Sequence, residues 1–94
     1  MAQSILQSKK ECYITQSTSG LHKHHIFGGA NRSRSEQYGL WVWLRADWHN
    51  MSDYGVHFNK ALSRMLKKEA QSAAMRVYGW DMAEFIRLFG RNYL

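Results

Sequence analysis

LHKHHIF at 21–27 and LWVWL at 40–44, separated by the polar, glycine-bounded stretch GGANRSRSEQYG at 28–39, decide the fold. Both flanking runs read as short strands, and the second puts five bulky apolar or aromatic residues in a row. Successive strand side chains alternate between faces, so His22 and His24 share one face, and Lys23 and His25 the other. By the same alternation Trp41 and Trp43 share a face, which is expected to turn to the core. The stretch Gly28–Gly39 reads as a loop carrying Arg32 and Arg34 as flexible cations suited to phosphate contacts.

Working outward, Cys12–Thr15 has strand-like residues, Gln16–Gly20 is a turn, and 1–11 is a polar, flexible lead-in or short helical turn. Arg45–Gly55 is a connector. From Val56 to about Val77, Phe58, Leu62, Met65, Leu66, Ala70, Ala73, Ala74 and Val77 recur at spacings of three and four, which predicts a helix with one broad apolar stripe. Glu69 interrupts that stripe, while Lys60, Arg64, Lys67 and Lys68 fall on another side. Gly79 is a natural stop. Asp81 with Glu84 resembles a capping box opening a short helix, Met82–Phe89, whose Met82, Phe85, Ile86 and Phe89 share a face. Tyr93 and Leu94 are expected to fold the tail back on the core. The fold class is α+β: one domain over 1–94 with a short β-ribbon, one long helix and a short C-terminal helix.

The 94 residues carry 13 Lys and Arg against 7 Asp and Glu, a formal net charge of +6. That balance favours an anionic partner, and nucleic acid is the commonest for a basic domain. The 14% aromatic content argues for a packed core rather than a disordered basic tail. A chain this small usually needs a metal, a disulfide or a partner to fold. Cys12 is the only cysteine, so no disulfide forms within the chain, and a lone thiol fits a reducing, cytoplasmic setting. No apolar run suits a secretory signal or a membrane span. The aromatic content and small size also allow an obligate oligomer such as a homodimer. No Ser-His-Asp spacing, P-loop or dinucleotide fingerprint is present.

Five histidines, at 22, 24, 25, 49 and 57, leave the last third of the chain empty of them. A metal site needs three or more N or O ligands converging on one ion. Adjacent strand histidines cannot both face one point, so one can bind a metal while the other addresses a neighbouring atom. Phosphodiester hydrolysis asks for that division: a cation for phosphate charge and a base for water. Asp53 is an alternative oxygen ligand or a helix cap.

The segments His24-His25-Ile26-Phe27-Gly28-Gly29, Ser35-Glu36, Gly39-Leu40-Trp41-Val42-Trp43-Leu44, His49, Gly55-Val56-His57-Phe58 and the ending Phe89-Gly90-Arg91-Asn92-Tyr93-Leu94 resemble the small HNH-type endonucleases and HNH-like proteins of tailed bacteriophages. The resemblance runs from about Cys12 to the end. It implies a ββα-metal fold in which a two-stranded ribbon and a helix clasp one divalent ion (Mg, Mn, Ni or Zn). It makes His24 a metal ligand, His25 the general base, and His49 and His57 the remaining imidazole ligands. Arg32, Arg34, Lys60, Arg64, Lys67 and Lys68 would then hold the DNA backbone. The activity implied is a metal-dependent, phage-encoded DNA endonuclease or nickase.

The sequence departs from that pattern in three places. Thr15 stands at the partner position of Cys12, and Arg45 and Trp48 stand where a second Cys pair would fall, so no structural zinc is expected and aromatic packing around Trp48 would replace it. The middle Asn of the motif is missing near Tyr38 and Gly39, with Asn31 or Asn50 as substitutes. These losses keep an alternative open: a catalytically inactive HNH-like factor that binds DNA, as a packaging or recombination accessory, or binds a protein, as an inhibitor of a host nuclease.

Overall fold

The two strand-like runs pair. In the computed structural model, which describes residues 3–50 and 54–94, β1 (Leu21–His25) runs antiparallel to β2 (Trp41–Arg45), with His24 opposite Val42 and His25 opposite Trp41. A two-stranded ribbon is marginal alone and needs a covering layer. The helices provide it, so the architecture is α+β: a 3₁₀ turn at Gly29–Asn31, α1 (Arg32–Tyr38), α2 (Ala46–His49), α3 (Lys60–Tyr78) and α4 (Met82–Phe89).

Partner residues in register share a face, so His22, His24, Val42 and Leu44 form the inner face of the ribbon. Val42 and Leu44 are fully buried there against Leu66, Ala70 and Ala74 of α3 and Phe85 and Phe89 of α4. The Trp pair lies on the outer face instead of the core. Trp41 is nevertheless buried, and the Lys23 ammonium rests 4.1 Å from its ring centroid while Lys10 rests 4.6 Å from that of Trp43. The ammonium groups thus sit over the indole faces as cation–π partners, and that of Lys23 also reaches Glu36.

The stretch expected as a loop, 28–39, is mostly helical. A seven-residue helix fits because Gly39 adopts φ 71° at its end, where its N–H reaches back to Ser35 and Glu36. Gly39 meets a second demand: an added Cβ would collide with the Gln3 carbonyl. The turn after β1 is fixed by Ser35, fully buried, whose hydroxyl donates to the Phe27 carbonyl (2.8 Å) and accepts from the Phe27 N–H (3.0 Å).

Cys12–Thr15 is a turn, not a strand. The Cys12 N–H donates to the Ser17 carbonyl and the Gln16 N–H to the Cys12 carbonyl, both at 2.8 Å, and Gln16 sits at φ 63°. Local closure thus takes the Cys12 N–H and carbonyl, while the Tyr13 N–H donates singly to the Trp43 carbonyl of β2 at 2.8 Å. Ahead of it, the expected lead-in is fastened along β2: the Ile5 N–H donates to the Gly39 carbonyl, the Ser4 hydroxyl to the Trp41 carbonyl, and the Trp43 N–H to Gln7 Oε1.

The long helix starts at Lys60, four residues later than the periodicity suggests, because Asn59 caps it by accepting from the Leu62 N–H at 3.1 Å. Residues Val56–Phe58 form a turn instead, and Phe58 projects into solvent at 66% exposure. Met65 and Val77 are exposed as well, so the buried stripe narrows to Leu66, Ala70, Ala73 and Ala74 and admits Gln71. Glu69 lies outside it, exposed. The stop at Gly79 and the helix Met82–Phe89 stand as the sequence implied, with Asp81 accepting from the Glu84 N–H. Glu84 pairs with Arg87 rather than closing the box, and Leu88, not Ile86, joins Phe85 and Phe89 inside. Tyr93 folds back onto Phe27, 5.0 Å between ring centroids, whereas Leu94 is exposed. No described helix is long and apolar enough to cross a membrane.

Candidate metal centre

Three local devices bring distant histidines together. β1 turns His24 inward, where it is buried. Directly after β2 the chain enters α2, whose last residue is His49. Its first turn is braced by Asp47, which takes two bonds from Arg45 (2.7 and 2.8 Å) and one from the Tyr54 hydroxyl (2.7 Å). The Val56 N–H then donates to the Trp48 carbonyl (2.8 Å) and the His57 N–H to the His49 carbonyl (3.2 Å), which lays His57 beside His49 ahead of α3.

The ligating atoms of His24, His49 and His57 all lie within 4.8 Å of one another. The ring centroid of His24 is 5.3 Å from that of His49 and 5.4 Å from that of His57, and His49 and His57 are 4.6 Å apart. Nε2 of His49 and Nε2 of His57 approach to 3.0 Å. Nitrogens bound about 2.0–2.1 Å from one divalent ion sit roughly 3 Å apart, so the closest pair already has ligand spacing. Three imidazoles suit a borderline cation such as Zn, Ni or Mn. These residues could therefore hold one metal ion.

Burial pushes His24 down to about 3, with nearby His49, His57, His25 and Lys67 adding to it. Burial likewise lowers His49 to about 4, reinforced by His57 and His22. Both rings are consequently neutral at pH 7, which is the form that ligates.

His22 takes no place among the three, yet touches one of them: its Nδ1 lies 3.1 Å from Nδ1 of His49. With His49 as the donor in this contact, its proton sits on Nδ1 and Nε2 is left to face the cluster. The shared face of His22 and His24 was legible from strand alternation; its contact with His49 was not.

His25 closes β1 on the other face, away from the cluster. Its Nε2 lies 2.8 Å from Glu36 Oε1, and the same carboxylate takes the Lys23 ammonium at 3.0 Å. Hydrogen bonds from His25 first, then Lys23, hold Glu36 below the usual carboxylate range. An ionised carboxylate only accepts, so the proton of a neutral His25 sits on Nε2 and its lone pair on Nδ1. Glu36 emerges here as a partner of His25 that residue patterns alone left without a role.

The six expected phosphate-binding cations separate. Lys60, Arg64 and Lys67 line an open hollow of about 480 Å³ together with His57. Arg32 lines another hollow beside His25 and Glu36, whereas Lys68 faces Tyr13 and Glu69. Arg34 is exposed on α1. Arg91, which the sequence reading did not single out, joins the hollow beside His57.

At the positions where the resembled family has zinc cysteines, the Thr15 N–H points at the buried Cys12 sulfur (3.5 Å), Arg45 is committed to Asp47, and Trp48 packs on Tyr54 with centroids 4.7 Å apart. Asn31 Nδ2 donates to the Phe89 carbonyl at 3.0 Å and ties the start of α1 to the end of α4, while Asn50 is exposed. Ser35 holds the turn after β1. Asp53 lies outside the described residues. Comparison with protein-family models, with curated proteins and with solved structures gives no match to this chain.

Proposed function

We propose that this chain is a metal-dependent DNA endonuclease or nickase of the HNH-like, ββα-metal type, encoded by a phage. The observation that carries the reading is the convergence of His24, His49 and His57 next to a ribbon and a long helix. A divalent cation held there supplies charge neutralisation for a bound phosphodiester and for its leaving oxygen. His25 is the general base: its Nδ1 takes a proton from water while Glu36 holds Nε2. The resemblance of His24-His25 and Gly55-Val56-His57-Phe58 to HNH proteins supports the same assignment. Lys60, Arg64 and Lys67 supply backbone contacts that position DNA without reading its sequence.

One observation favours a second reading, an inactive HNH-like factor that binds DNA or a protein. His25 is turned to the outer face of the ribbon and bonded to Glu36, whereas the imidazole cluster lies on the inner face.

Plasmid nicking decides between them. Metal-stripped protein is given supercoiled DNA with Mg, Mn, Ni or Zn added back, beside His25→Ala. Metal-dependent nicking that His25→Ala abolishes, with DNA binding retained, is the expected result. Folded, metal-loaded protein that nicks with none of these ions would overturn the nuclease reading in favour of the binding factor.

A further inference from the structure

The last four residues are built into the fold through a polar clamp. Gln71 is fully buried in the middle of α3, where a side-chain amide costs stability unless its groups are bonded. Its Nε2 donates to Asn92 Oδ1 (2.9 Å), and its Oε1 accepts from the Tyr93 N–H (2.6 Å). Asn92 Oδ1 also accepts from the Leu94 N–H at 3.0 Å. The tail is thereby fixed against α3 in one register.

That register has an electrostatic consequence. Arg91 is brought to the same hollow as Lys60, Arg64 and Lys67, and the Arg91 guanidinium and the Lys67 ammonium approach one ring, that of Tyr93, at 5.1 and 5.6 Å from its centroid. Elsewhere on the surface cations near carboxylates pair with them, as Arg45 does with Asp47 and Arg87 with Glu84. Among the described residues these four cations form no ion pair, and no acidic side chain lines their hollow. Like charges gathered in one concavity raise the local concentration of anions. Three of the cations belong to one helix and would form an ordinary solvated face by themselves. The fourth comes from a different element, held by a buried amide.

We propose that the C-terminal tail completes an anion seat, formed by Lys60, Arg64, Lys67 and Arg91 beside His57, which takes a phosphodiester group of the DNA backbone. The seat rests on the nuclease reading for the identity of its ligand, and it names the tail as part of the DNA-binding surface. Its position next to His57 places a seated backbone contiguous with the imidazole cluster.

Salt dependence of binding tests it, because each phosphate neutralised contributes about 0.9 to the slope of log K against log salt. Zinc-loaded full-length protein is titrated into a short fluorescent DNA duplex carrying phosphorothioate linkages, from about 50 to 200 mM salt. Arg91→Gln is expected to flatten the slope by about 0.9 and weaken binding severalfold at low salt, whereas Arg91→Lys keeps the slope and Arg87→Gln, a cation outside the hollow that pairs with Glu84, behaves as the parent. Thermal melts confirm that each variant is folded. An Arg91→Gln slope equal to that of the parent overturns the seat while leaving the nuclease reading standing. Failure of the parent to bind DNA at low salt overturns the seat too. Arg91-dependent binding without metal-dependent nicking supports the seat and removes the nuclease reading instead.

Discussion

Acid should unfold the metal-free protein through His24 in particular, and the size of the effect follows from its burial. The folded ring is pushed down to about 3 by desolvation and by its imidazole neighbours. In the unfolded chain it titrates near 6.5. The folded value is depressed, so the stabilisation is complete above about 6.5 and is lost as pH falls toward about 3, while the unfolded state binds the extra proton. Between pH 7 and pH 5 this single group costs about 2 kcal/mol, a figure that changes little for any folded value below about 4. In a domain of this size that corresponds to roughly 8–16 °C in melting temperature. The assay is urea unfolding of metal-stripped protein at a series of pH values between 7 and 4.5, with His24→Leu as the comparison. Leu keeps an apolar side chain in the buried position and removes the titration. The parent should show about one more proton taken up on unfolding near pH 5 than the variant. Parallel pH profiles for parent and variant would refute the reasoning, since they would mean that His24 is protonated as readily folded as unfolded.

Three further outcomes follow from single contacts. His22→Ala should weaken zinc binding roughly 10- to 100-fold, read by competition with a chromophoric chelator, because His49 loses the partner at its Nδ1; unchanged affinity would remove His22 from the centre. Glu36→Ala should lower the nicking rate at least roughly tenfold while zinc affinity stays constant, since the carboxylate holds His25 and touches none of the three cluster rings; a matching loss of zinc affinity would contradict that separation. Ser35→Ala should cost roughly 1–3 kcal/mol in urea unfolding, because both the N–H and the carbonyl of Phe27 lose their hydroxyl partner in the interior; a loss below about 0.5 kcal/mol would show that the turn after β1 is held by something else.

The sequence by itself determined the elements whose periodicity or end signals are local. LHKHHIF and LWVWL pair as strands, Gly79 ends the long helix, and Asp81 starts the short one. Strand alternation alone put His24 and His25 on opposite faces. Local signals failed where a backbone group found a partner that sequence spacing does not reveal. Asn59 moved the helix start past His57 by capping Leu62, and the Ser17 carbonyl drew Cys12 into a turn. Arg32–Gln37 is polar and has no apolar stripe to announce a helix, yet Gly39 closes one against the Gln3 carbonyl. The histidines likewise divide between what spacing can say and what contact decides. Their clustering in sequence marks a candidate metal centre, but convergence of His49 and His57 depends on two backbone bonds between separate turns, at Trp48–Val56 and His49–His57. Only tertiary packing placed His22 behind His49, Glu36 behind His25, and Arg91 opposite the cations of α3. The reason is physical: periodicity records which face of an element is apolar, whereas the reach of a polar side chain depends on where the other elements lie, and burial of Val42, Leu66 and Phe85 in one core sets that.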